Sequence, residues 1–130
     1  MNPTNPKIVG ELKIPGWSDY LHPIDENYLI GFGKEVNAES ANNERLTWDM
    51  LMGMKISIFD VSDLKNPKEI HKTVIGDKGT DSEILRNPKA LFFDAERKLI
   101  GFPIQITKVI YNIQIYTLNL LKINLNRNFY

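Results

Sequence analysis

Hydrophobic and polar residues alternate along much of the chain in short runs separated by polar turn clusters, the period-two signature of strands buried on one face. The pattern predicts strands at Tyr20 to Ile24, Tyr28 to Lys34, Met54 to Val61 and Glu69 to Ile75, then at Ala90 to Asp94 and Lys98 to Ile104. A further strand is predicted at Tyr111 to Leu118, where the alternation is imperfect, and the run Ile8 to Ile14 reads as one more. The links "DEN" at Asp25 to Asn27 and "DAER" at Asp94 to Arg97 have hairpin length. In "FDVSDLKNPKEI", Asp60, Ser62 and Asp63 are placed to accept from nearby backbone N–H groups in Asx- and ST-type turns. Asn66-Pro67 then disfavours helix and sets up the next strand.

The runs repeat. Asn5-Pro6-Lys7 returns as Asn66-Pro67-Lys68, and "LIGF" at Leu29 to Phe32 returns at Leu99 to Phe102. The offset between copies grows because "DKGTDSEILRNP", Asp77 to Pro88, is longer than its counterpart at Trp17 to Tyr20, and such length differences belong in loops. A four-stranded antiparallel meander repeated in tandem is the sequence logic of a β-propeller. The expected fold class is therefore all-β, an incomplete β-propeller of about two antiparallel four-stranded blades. In this reading Ile8 to Ile14 is the last strand of a preceding blade, Tyr20 to Ile75 is one full blade, and Ala90 opens the next. Propellers close with about four to eight blades. The open sheet edges are thus expected to be met by further blades or by self-association.

The stretches "LKIPGWSDYLHPIDENYLIGFGKE" and "MKISIFDVSDLKNPKEIHKTVIGDKGTDSEILRNPKALFFD" resemble an archaeal and bacterial family of secreted proteins with a carboxy-terminal β-propeller distantly related to the WD type. The resemblance covers about Lys7 to Ile104. It implies a propeller fold and an extracellular or cell-surface setting, and it carries no established activity. Residues 105–130, rich in Asn, Ile, Leu, Lys and Tyr, depart from the pattern. They divide the chain into a partial propeller domain, 1–104, and a divergent segment, 105–130. A shifted or degraded reading frame is one explanation of that segment, and a real strand over Tyr111 to Leu118 is the other.

Composition narrows the function classes. The 130 residues carry 16 basic and 16 acidic side chains, so no net field steers the chain toward nucleic acid, and no nucleic-acid partner is expected. With no cysteine there is no disulfide, thiolate nucleophile or cysteine-held metal. The amino terminus lacks the basic-then-apolar order of a signal peptide. Polar residues break the apolar run from Ile104 to Leu121, so no membrane insertion is expected.

Candidate chemistry is sparse. His22 falls on the strand expected to line a propeller's channel, where its counterpart in the second repeat is Leu91. Without a partner visible in the sequence it reads as a channel contact or a structural histidine, and His71 reads as a surface position. "GFGK", Gly31 to Lys34, lacks phosphate-loop spacing, and its glycines fit close approach of strands. Asp77, Asp81 and Glu83 lack the ligand order of a calcium loop. The apolar end of the segment between the second and third strands, Trp48, Met50 and Leu51 with Met52 and Met54, suits a partner surface or the blade's own core. No catalytic, cofactor-binding or metal residue is predicted and no cofactor is expected. The leading expectation is a binding or scaffolding module, a fragment or truncated product of a larger protein. The alternative is part of a propeller enzyme, a hydrolase or lyase, whose active site needs other blades; a third is a homo-oligomeric, lectin-like ring.

Overall fold

The computed structural model of the chain describes residues 3–37, 51–111 and 113–125. Among these residues seven strands form two antiparallel sheets: β1 (Trp17–Pro23), β2 (Tyr28–Val36), β3 (Leu51–Asp60) and β4 (Lys68–Ile75) in order β1-β2-β3-β4, then β5 (Phe92–Asp94), β6 (Leu99–Ile110) and β7 (Ile113–Asn124) in order β5-β6-β7. The architecture is the expected all-β one, with a complete four-stranded meander followed by three strands of a second.

Turn chemistry ends the strands as anticipated. Asp25 Oδ1 accepts from the backbone N–H groups of Asn27 and Tyr28. Between β3 and β4, Asp60 Oδ1 accepts from the Ser62 N–H and hydroxyl, Asp63 Oδ1 accepts from the Lys65 N–H, and Asn66 Nδ2 donates to Asp63 Oδ2. These bonds hold both carboxyls below their ordinary range, Asp60 through Ser62 and Asp63 through Asn66.

The two sheets meet face to face. Ile30, Phe32, Met54, Ile56 and Ile58 on the first sheet pack with Ile100, Phe102 and Ile104 on β6 and with Ile84 and Leu125. The repeated "LIGF" lies at equivalent places in β2 and β6. Its two phenylalanines, Phe32 and Phe102, meet edge to face at 5.3 Å with no solvent exposure, the arrangement aromatic quadrupoles favour. Period two thus places the same residues of both repeats in one seam.

The opposite face of the first sheet is polar yet buried. Lys55, Ser57 and Glu35 are nearly inaccessible. The Lys55 ammonium donates to the Pro15 carbonyl, Ser57 Oγ donates to Glu69, and Lys72 Nζ lies 2.7 Å from Glu35 Oε2. The amino-terminal segment lies against this sheet. At Gly10 a Cβ would come within 2.2 Å of the Leu64 carbonyl, so the crossing over the β3–β4 turn needs glycine.

Two expectations are corrected. Ile8 to Ile14 is not a strand; it belongs to no ladder, and Ile8 is fully out in solvent. A strand needs a neighbour for its backbone groups, and among the described residues this run pairs with none. Nor is Ala90 to Asp94 wholly strand: Pro88–Ala90 forms a 3₁₀ turn capped by Asn87, leaving three strand residues. The ladder of β6 also continues unbroken through Ile110 and pairs with β7 from Leu99↔Asn124 to Ile110↔Ile113. A positive φ of 49° at Tyr111 follows β6, as tight hairpins require. The far end of this hairpin stands clear of the seam, with Tyr111 and Ile113 both more than half exposed.

Candidate binding site

In an antiparallel meander, the start of β1, the end of β2, the start of β3 and the segment after β4 share one end of the sheet. There Trp17, Asp19, Lys34, Leu51, Gly79, Asp81, Leu85 and Arg86 line a recess of about 460 Å³.

Local structure explains each position. Between Ser18 and Tyr20 the β1–β2 register slips, leaving Asp19 as the extra residue of a bulge, and bulges re-aim side chains. Asp19 Oδ1 accepts from the Trp17 indole N–H at 3.1 Å. On the next strand, Gly33 permits the approach of β1: a Cβ there would lie 1.9 Å from the Trp17 carbonyl. Lys34 shares the inward face of β2 with Ile30 and Phe32.

The segment between the sheets supplies the other wall. Gly76 and Gly79 turn it with φ of 65° and 97°. Asp81 exchanges two backbone hydrogen bonds with Gln105 of β6, at 2.9 and 2.8 Å. Ser82 then caps a short 3₁₀ turn, accepting from the Ile84 N–H, and Ile84 is wholly buried in the seam. Anchored this way, the turn presents Leu85 and Arg86 to the recess.

Its charges neutralise one another. Arg86 holds Asp81 with both guanidinium nitrogens, at 3.1 and 2.9 Å, a two-pronged geometry. Lys34 donates to the Thr80 carbonyl and lies 3.8 Å from Asp81 Oδ1. Burial pushes the Lys34 ammonium below its ordinary pKa, against the opposing pull of Asp81 and Asp19. Desolvation alone would raise the Asp81 carboxyl, but the bonds from Arg86 and the Ser82 N–H outweigh it and leave the group lowered. Trp17, Leu51 and Leu85 supply apolar wall.

Of the residues singled out in the sequence, Leu51 stands in the recess as the first residue of β3. Trp48 and Met50 lie outside the described residues. His22 lies at the other end of β1, about 16 Å along the strand at roughly 3.3 Å per residue, so the structure does not bring it to Leu51. Its Nδ1 is 2.9 Å from the Tyr20 hydroxyl, its ring meets Phe93 edge-on at 4.7 Å, and burial lowers its pKa. His71 lines a second cavity, of about 330 Å³, between β3, β4 and β7. The carboxylates of "GDKGTDSE" are committed separately: Asp77 Oδ2 accepts from the Val109 N–H, Asp81 is held as above, and Glu83 lies 3.8 Å from Arg86. Among the described residues no three His, Asp or Glu side chains gather around a common point, and no helix is long and apolar enough to cross a membrane. Sequence reasoning passed over Lys34, Asp81 and Arg86 as a group; their only trace was that "GFGK" and "TDSEILR" both sit beside predicted strand ends.

A family model described as a β-propeller domain matches residues 1–130. An uncharacterised protein of Archaeoglobus fulgidus is 41% identical over 102 residues, covering 78% of this chain and 14% of its own length. An uncharacterised protein of Methanocaldococcus jannaschii is 40% identical over the same length of alignment and with the same coverage. The chain thus spans about one seventh of the curated relatives it matches. No solved structure matches it.

Proposed function

The chain belongs to the β-propeller domain family, and from that premise we propose that it is a non-enzymatic binding or scaffolding module, one part of a larger propeller assembly. One observation carries this reading: in the recess at the β2–β3 end every charged group is already engaged by a neighbour, while Trp17, Leu51 and Leu85 remain as apolar wall. Such a surface holds a ligand by apolar contact inside a polar rim; acid–base work needs a group left available to a substrate. The ligand class that fits is a peptide segment with an apolar anchor flanked by charge. Leu51 lies on this wall, and with Trp48 and Met50 it belongs to the proposed contact surface. His22 is proposed as a second contact, toward the channel of the assembled propeller.

The proposal retains a distant relation to WD-type repeats, an extracellular setting, and a division into residues 1–104 and a divergent segment 105–130. The first of these rests on the sequence resemblance and the last on the change of composition after Ile104. A second reading, part of a propeller hydrolase or lyase, draws support from Lys34, whose buried ammonium is pushed toward its neutral form.

A defined peptide array separates the two. Binding to peptides with an aromatic or aliphatic anchor, lost in Trp17→Ala and in Leu51→Asp with the fold kept, supports the module. Peptide binding indifferent to both substitutions removes the recess from the reading. Turnover of chromogenic esters or glycosides that disappears in Lys34→Met would replace it with the enzyme.

A further inference from the structure

Lys55 carries its ammonium on the face of β3 turned away from the seam, where it is 1% exposed. Burying a charge is costly unless a partner holds it. The carboxylates on the two neighbouring strands are engaged by other groups. Glu35 Oε1 accepts from the Val36 N–H and its Oε2 lies 2.7 Å from Lys72 Nζ, while Glu69 accepts from the Ser57 hydroxyl. Burial lowers the Lys55 pKa, against the pull of Glu35 and Glu69 and with the opposing charge of Lys72. The hydrogen bond that Lys55 makes goes instead to the carbonyl of Pro15, at 2.5 Å.

Pro15 stands two residues ahead of Trp17, in a strap, residues 5–16, that belongs to no ladder. The strap crosses the β3–β4 turn at Gly10. It then crosses β2 at Gly16, which has a φ of 76° and where a Cβ would lie 2.2 Å from the Lys34 carbonyl. Between the crossings the chain is thinly covered, with Ile8, Val9 and Leu12 all exposed.

The start of β1 needs this anchor. In its sheet β1 pairs with β2 alone, and the bulge between Ser18 and Tyr20 leaves two residue pairs beyond it, Trp17↔Lys34 and Ser18↔Gly33. A strand end held so lightly opens at low free-energy cost. The Trp17 indole adds no restraint from outside, because its N–H donates to Asp19 of the same strand. Pro15 and Gly16 therefore clamp the end of the sheet at which Trp17 and Lys34 both enter the recess.

We propose that Lys55 is a positioning residue for the recess: from the buried face of β3 its ammonium pins the strap at Pro15 and so fixes Trp17 as a wall, and release of the strap opens that wall. The significance of the wall for binding rests on the reading of the recess as the contact surface. The physical coupling between Lys55 and Trp17 does not.

Acrylamide quenching of indole fluorescence tests the coupling with no ligand present. The chain has two tryptophans, so the full chain carrying Trp48→Phe reports Trp17 alone. Trp17 is 37% exposed when pinned, and Lys55→Met in that background should raise its quenching constant at least twofold with an unchanged far-ultraviolet circular dichroism spectrum. The control is Ile56→Val, which loosens the same strand from its opposite, apolar face and should leave the quenching constant where it was. If Lys55→Met does not fold, Lys55→Gln is read in the same way. A quenching constant unchanged by loss of the Lys55 ammonium overturns the proposal. So does an equal rise in Ile56→Val, which would make the effect a general loosening of the sheet. Peptide binding at the recess is measured separately, so either result stands whether or not the array finds a ligand.

Discussion

Replacing Phe102 by alanine, alone and together with Phe32, probes the joint between the two sheets. Both rings have no solvent exposure and meet at 5.3 Å. Truncating a fully buried phenylalanine removes its transfer free energy and leaves a cavity, together about 3–5 kcal/mol. Against a total stability of about 5–15 kcal/mol for a domain, that is a large fraction. With a urea dependence of about 1–3 kcal/mol per molar, the unfolding midpoint should fall by roughly 2 M. Phe92 is the internal control. It is 59% exposed on β5, and Phe92→Ala should cost less than about 1 kcal/mol. The informative quantity is the coupling in the Phe32→Ala/Phe102→Ala cycle, expected at about 0.5–1.5 kcal/mol for an edge-to-face pair. If the alanine variants do not fold, Phe102→Leu in place of Phe102→Ala reads the same contact at a smaller cost. A loss below about 1 kcal/mol at Phe102, or a coupling indistinguishable from zero, would refute the claim that these repeats are held together by one shared seam.

Other expectations follow from the same contacts. Gly76→Ala should destabilise by at least about 2 kcal/mol in urea unfolding, because the position has positive φ and a Cβ would lie 2.2 Å from Thr80 Oγ1. Lys55→Met should cost about 1–3 kcal/mol by removing a hydrogen bond from a charged donor; proteolysis within residues 8–16 should quicken, since the Pro15 carbonyl loses its tie to β3. Asp81 has a folded-state pKa below its ordinary value near 3.8, so the unfolded state takes up the proton first on acidification. Its stabilisation is present above that value and is lost as the pH falls through the folded-state one. Urea midpoints measured from pH 6 downward should therefore decline more steeply for the native chain than for Asp81→Asn, and parallel slopes would contradict the assignment.

Much of the fold was legible before any coordinates because it depends on local chemistry. Alternation named β1 to β4 and the first half of β6, since a strand with one buried face must alternate. Asp25, Asp60 and Asp63 marked the turns, since a short carboxylate beside free N–H groups bonds them wherever the chain goes. The repeat of "LIGF" identified β2 and β6 as equivalents. The candidate site was hardly legible at all. Lys34, Asp81 and Arg86 come from a strand end and a segment read only as a longer loop, and nothing in their spacing says that Ser82 and Ile84 anchor that segment across the seam.

What the residues determined alone was the order of candidate strands and the turns between them, the all-β class and the tandem unit, because each follows from periodicity and side-chain-to-backbone bonding within a few positions. Tertiary structure decided which runs become strands at all. Ile8 to Ile14 has a strand's pattern and no neighbour, so it forms no ladder, whereas Ile113 to Asn124 has an imperfect pattern and pairs along its full length because β6 offers an edge. It also decided that Ile84 is core and that His22 packs on Phe93. A strand's backbone groups are satisfied by whatever lies beside them in space, and that neighbour is set by the whole packed chain.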